Sequence, residues 1–344
     1  MKSVLSRRHV WKIALVLLVP LALYAYIAER NSWRPKTMVL DALVGNIQFS
    51  PDGRTLIVED QNDEFREDLI LCDVASGTMS ARIPMAEYSC FIENGKYMAA
   101  FCSSERFEPQ EQRVKIFSVP DAKVAMSGPK NFIPVGVLAD ESTLIGLMVS
   151  NGIEDANVVN NAKVVDNAKL FRWNWRTDRA PQLHLRLPKA PQNKPWILPD
   201  KATLTDGDHF WDLATGKLRF QIRRDADITS RSFGVPHANT ASLIAYLGDE
   251  KVKIWNYKTG KLQYSVAFDV TSGLMLSPDN STLVGAIGRN GEIKLQDIHS
   301  GQLLRQLEIS TDNDFYRLAF SPDGRTLAAA PDGGEGIVKL WRVK

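Results

Sequence analysis

Short runs of β-branched, aromatic and other apolar residues recur from about residue 37 to the end of the chain, broken by turn residues rather than by helical spacing. One turn recurs almost unchanged. FSPDGRTL stands at Phe49–Leu56 and again at Phe320–Leu327, LSPDNSTL at Leu276–Leu283, and a looser copy, FIENGKYM, at Phe91–Met98. Each has the chemistry of a tight hairpin. Proline presets φ, aspartate tolerates the bridge region, and glycine supplies a positive φ, with strand formers on both sides.

A second pattern follows at a regular distance: a strand with an aromatic near its end, then a turn closing on glycine or an equivalent. It reads VKIWNYKTGKL at Val252–Leu262, IKLQDIHSGQL at Ile293–Leu303 and VKLWRVK at Val338–Lys344. Related forms are HFWDLATGKL at His209–Leu218, LILCDVASG at Leu69–Gly77, VKIFSVPDA at Val114–Ala122 and LFRWNWRTD at Leu170–Asp178. Aligned on one position they give Cys72, Phe117, Trp173, Trp211, Trp255, Gln296 and Trp341, spaced by 45, 56, 38, 44, 41 and 45 residues. Seven copies therefore fill residues 37–344 at about 44 residues each, the length of a four-stranded propeller blade.

On these residues the chain resembles the WD-repeat β-propellers, over essentially all of 37–344. The most specific are Trp211-Asp212 with Thr215-Gly216, Trp255 with Thr259-Gly260, the Ser-Pro-Asp-Gly turns and the terminal Trp341. The resemblance implies an all-β, seven-bladed propeller in which the third-strand aromatic (Trp173, Trp211, Trp255, Trp341) packs between neighbouring blades. One departure stands out. The family's Gly-His dipeptide is absent, since none of His9, His184, His209, His237 or His299 follows a glycine. Blade packing is then expected to rest on apolar and aromatic contacts. The last copy ends on its third strand, 336–343, so its outer strand should come from Thr37–Leu43, closing the ring and leaving no open edge at the seam.

Ahead of the repeats, residues 1–36 form a separate region. Ile13–Ala28 carries no charge over sixteen residues, about 24 Å as a helix against a hydrocarbon core of about 30 Å. Trp11, Tyr24, Tyr26 and Trp33 lie near its ends, where amphipathic rings favour the interface. Tyr26 and Leu23 spoil the small-residue pattern of a cleavage site, so residues 10–28 are expected to remain as a membrane anchor, with a cleaved secreted form as the alternative. The bases preceding the run favour a cytoplasmic N-terminus and a propeller outside the cytoplasm, periplasmic in a bacterium. Arg30, Arg34 and Lys36 beyond it weaken that bias.

Charge changes the picture once it is divided. Residues 1–36 carry seven bases against one acid, a balance of +6, so the net +2 of the whole chain leaves −4 for the repeats. An acidic body has no electrostatic reason to bind nucleic acid. Three cysteines, Cys72, Cys90 and Cys102, lack metal-type spacing, and the hairpin expected of their region does not oppose Cys90 and Cys102; they read as structural thiols. No metal site and no cofactor is expected. The Asp60–Asp68 segment offers oxygen ligands but lacks the glycine and spacing of an EF-hand loop. No nucleophile elbow, phosphate-cradling loop or zinc-protease helix is present, and no catalytic residue is assigned. Lys115, Lys253, Lys294 and Lys339 recur at one blade-fixed place, which suits a scaffold role.

Individuality lies in the insertions. Loops joining second and third strands are short at Gly248–Lys251 and Gly288–Glu292. They are long and polar at Glu59–Asp68 and Ser103–Arg113, and longest at Ser150–Lys169, which holds the tandem VVNNAK and VVDNAK. These loops read either as solvated decoration or as a recognition surface, whose candidate residues are Asp60, Asp63, Glu64, Phe65, Glu105, Arg106, Phe107, Asp155 and Asn157. Trp196, in a proline-rich connector at Pro188–Pro199, reads as the start of an inner strand or as a surface anchor. The expected role is a membrane-tethered module that holds a protein partner. The alternative is a small-ligand-binding or enzymatic propeller working through the central channel.

Overall fold

A computed structural model describes residues 34–61, 67–103, 112–148, 169–188, 191, 195–222, 233–234, 243–247, 251–270, 272–287, 291–309 and 316–344. The expected membrane segment at 10–28 lies outside the described residues. Among the described residues no helix is long and apolar enough to cross a membrane.

Among the described residues the architecture is antiparallel β, with one 3-10 turn at Glu93–Gly95. In chain order, β1 (Lys36–Phe49), β2 (Thr55–Asp60), β3 (Asp68–Asp73) and β4 (Thr78–Ile83) are followed by β5 (Ala86–Ile92), β6 (Tyr97–Cys102), β7 (Arg113–Ser118) and β8 (Val124–Lys130). Next come β9 (Phe132–Val137), β10 (Thr143–Met148), β11 (Lys169–Asn174) and β12 (Gln182–Arg186), then β13 (Trp196–Ile197), β14 (Thr203–Thr205), β15 (His209–Asp212) and β16 (Leu218–Gln221). The chain continues through β17 (Phe233–Gly234), β18 (Leu243–Leu247), β19 (Lys251–Asn256) and β20 (Lys261–Ala267), and through β21 (Ser272–Leu276), β22 (Thr282–Ile287), β23 (Glu292–Asp297) and β24 (Leu303–Glu308). It ends with β25 (Tyr316–Phe320), β26 (Thr326–Pro331) and β27 (Glu335–Arg342). From β5 to β24 the strands form five four-stranded sheets in which each strand pairs with its neighbour in sequence. The remaining strands form one seven-stranded sheet, β25-β26-β27-β1-β2-β3-β4.

That larger sheet contains the seam. The first half of β1 pairs with β27, from Lys36 opposite Leu340 to Leu43 opposite Glu335. The second half pairs with β2, from Val44 opposite Asp60 to Phe49 opposite Leu56. The pairing expected of residues 37–43 with the last strand is therefore present, and the two ends of the repeat region lie in one hydrogen-bonded sheet. Met38, Leu40, Ala42 and Val44 fill the same core cluster as Ala328, Val338 and Leu340. Gly336 allows the close approach, because a Cβ there would fall within 2.0 Å of the Leu40 carbonyl oxygen.

The other clusters each join one sheet to the next. Trp173 packs with Ile92, Val114 and Ile116 of the preceding sheet, edge-on to Phe132 at 6.0 Å between ring centres. Trp211 packs with Ile145, Leu147 and Leu170, and Trp341 with Val284, Ile293 and Leu295. Trp173, Trp211 and Trp341 are thus buried between sheets, as the resemblance implied, while Trp255 is only partly buried against Leu198, Phe210 and Tyr257. Gln296 fills the same place with a polar brace, its Nε2 donating to Ala267 O at the end of β20, in the preceding sheet, at 3.0 Å. Trp196 starts an inner strand opposite Thr205, half-buried.

Candidate functional site: the two faces of the sheets

Alternation of strands divides the connections into two sets. Turns from first to second and from third to fourth strand lie on one side, called here the turn face. Links from second to third strand, and from one sheet to the next, lie on the connection face.

The turn face is built from short-range hydrogen bonds. In each Ser-Pro-Asp copy the serine hydroxyl donates to the aspartate two residues on, at 2.6 Å for Ser50, Ser277 and Ser321. The same serine oxygen accepts the amide of Thr55, Thr282 or Thr326 at 2.9 Å. The backbone turns at Gly53 (φ +72°), Asn280 (φ +59°) and Gly324 (φ +67°). Two further copies of this turn escaped the sequence pattern, LADESTL at 138–144 and LPDKATL at 198–204. There Glu141 and Lys201 occupy the positive-φ position, and Thr143 and Thr203 donate to Asp140 and Asp200. Adjacent turns touch around the face. A Cβ on Gly53 would stand 3.5 Å from Pro322, one on Gly324 3.5 Å from Pro278, and one on Gly95 3.0 Å from Pro51. Glu93 N donates to Glu141 O, and Lys201 pairs with the Glu141 carboxylate.

Turns between third and fourth strands repeat a second device. The carboxylates of Asp73, Asp212 and Asp297 accept the amides of Ser76, Thr215 and Ser300. Bonding to Ser76, Arg219 and Ser300 respectively holds all three below the ordinary carboxylate range, Asp212 at about 2. Asp212, the aspartate of the Trp-Asp pair, is therefore a turn residue with Arg219 as its ion partner at 2.5 Å.

The connection face is different. Asp60, read from sequence as a loop carboxylate, closes β2 and is fully buried. Leu43 N donates to its Oδ1 at 2.8 Å and Arg82 Nη2 to its Oδ2 at 2.5 Å; the same Arg82 nitrogen also reaches Asp41 O at 2.9 Å. Burial raises its pKa against the lowering pull of these donors. Asp60 thus ties the seam to β4 and is not an exposed contact residue. Period-two alternation carried the signal, because Asp60 follows Leu56 and Val58 on one side of β2. Asp68 accepts Met85 N at 2.9 Å and lies 3.4 Å from Arg82 Nη1. Beside them Tyr88 (φ +50°) is pushed above the usual phenol range by burial and by Glu87, Glu67 and Glu59. Asp63, Glu64, Phe65, Glu105, Arg106, Phe107, Asp155 and Asn157 lie outside the described residues.

One histidine contradicts the expectation of purely apolar packing. His209, at the start of β15, is buried with its Nδ1 3.2 Å from both oxygens of Asp206, and its ring stacks on Trp211 at 5.4 Å. Asp206 is buried and also accepts the His209 amide at 2.8 Å. The Asp206-x-x-His209 spacing could have revealed it; a search for Gly-His does not. Among the described residues no group of three His, Cys, Asp or Glu is placed to hold a metal. The cysteines are free thiols, and Cys90 faces Ala99 while Cys102 faces Ala86. Burial pushes Cys72 up to about 11 and Cys102 up to about 12, which makes both poor nucleophiles. Of the recurring lysines, Lys339 donates to Ile309 O at 2.6 Å, and burial lowers its pKa.

The comparisons agree with this geometry. The family model described as WD domain, G-beta repeat, matches residues 301–342. The human WD repeat and SOCS box-containing protein 1 is 26% identical over 167 residues, 46% of this chain and 38% of that protein; its zebrafish counterpart is 28% identical over 147 residues, 42% and 34%. The chain thus spans little more than a third of these relatives. Solved structures align over most of the chain. The Cps50 (Swd1) β-propeller domain of Myceliophteria thermophila has a TM-score of 0.59 at 12% identity, covering 91% of this chain and 100% of that one. A chain of a mitotic checkpoint complex gives 0.60 at 14% identity, covering 90% and 92%. A chain of Kuenenia stuttgartiensis hydrazine synthase gives 0.59 at 14%, covering 89% and 97%. With its repeated turns, its meander sheets and its third-strand tryptophans, the chain has the fold of a β-propeller, and its last repeat is similar to the WD domain.

Proposed function

We propose that the chain is a seven-bladed propeller, tethered to a membrane by its N-terminal apolar run, that binds a protein partner through the connection face of its first three blades. One observation carries this reading: the asymmetry of the two faces. The turn face engages its carboxylates within itself, with the amides of their own turns and with neighbouring bases such as Lys201 and Arg219, and repeats the same devices from sheet to sheet. The connection face combines unequal, acidic loops with a fixed base of Asp60, Arg82 and Asp68. Such loops on a rigid frame suit recognition of a partner with basic and polar groups.

The blade count is supported by the apolar clusters, which join successive sheets and return through β1 and β27 to the first. The bases ahead of residue 13 support a cytoplasmic N-terminus with the propeller beyond the membrane. Membership of a mitotic checkpoint complex by one structural relative accords with an interaction role for the fold.

The test is crosslinking in native membranes followed by mass spectrometry. The full chain is compared with a version whose 61–67 and 149–168 loops are short Gly-Ser turns. A stoichiometric partner lost on replacement is the expected result. A partner retained at full yield would discard this face, and no partner at all would favour the central channel.

A further inference from the structure

We draw no further inference here: the strongest candidate, the side-chain cluster of Tyr97, Trp175 and Arg176 on the turn face between β6 and β11, already has its guanidinium stacked on Trp175 and paired with Glu93, and nothing in the structure shows what covers it.

Discussion

The two faces of the propeller are made from the same strands yet are held by different physics. On the turn face, Asp52, Asp73, Asp140, Asp200, Asp212, Asp279, Asp297 and Asp323 each accept a backbone amide two or three residues on, so these turns are locally determined and repeat with little variation. On the connection face, polar groups are satisfied across long sequence distances, as when Asp60 accepts from Leu43 and Arg82. Local determination yields uniformity. Long-range satisfaction leaves the intervening loops free to differ, and it makes a few residues carry large costs.

The largest expected effect breaks the element that spans both faces. Deletion of residues 37–44 removes Met38, Leu40 and Val44 from the core, at roughly 1.5–3 kcal/mol each, and should abolish the cooperative melt. An unchanged melting temperature would refute the seam. Next, Asp60→Ala leaves the Leu43 amide without its acceptor and Arg82 without its closest carboxylate; a loss of about 2 kcal/mol in denaturant unfolding is expected.

Acid sharpens the contrast further. Asp279 faces opposing influences: burial disfavours its charge, but Lys344, Ser277 and Ser281 outweigh that and hold its pKa below 3.8. Its stabilisation is present above the unfolded value and is lost as pH falls below about 4. Asp60 has the opposite sign. With its pKa raised, ionisation costs stability, and the cost is relieved as pH falls through the raised value. Stability-versus-pH curves should therefore flatten below pH 4 in Asp279→Asn, but above pH 4 in Asp60→Asn. Curves that change in the same window would contradict the assignment.

The smallest effect is a gain. Asn280 holds φ +59° with its Oδ1 buried and without a hydrogen-bond partner, so Asn280→Gly should stabilise by about 0.5 kcal/mol, measured by chemical denaturation.

The sequence disclosed what local chemistry dictates. The Ser-Pro-Asp turns, the third-strand aromatics and the seam were legible because each is a short pattern or a count of strands. Copies at 138–144 and 198–204 were hidden because Glu141 and Lys201 take the left-handed position that glycine usually marks. Burial of Asp60 was written in the alternation of β2 and the His209–Asp206 pair in a spacing of three, but reading 59–68 as one loop and searching for Gly-His pass over both. Exposed apolar residues on the outer strands, such as Leu218, Leu262 and Leu303, repeat opposite Trp211, Trp255 and Gln296 and are part of the scaffold's regularity.

The division of labour between the faces is tested most directly by photo-crosslinking in native membranes, with a photoreactive residue in place of Ala214, on the turn face, or of the exposed Gln61, in the β2–β3 link, in the full chain. Protein adducts from Gln61 and none from Ala214 are expected. Protein adducts from Ala214, with none from Gln61, would contradict the division.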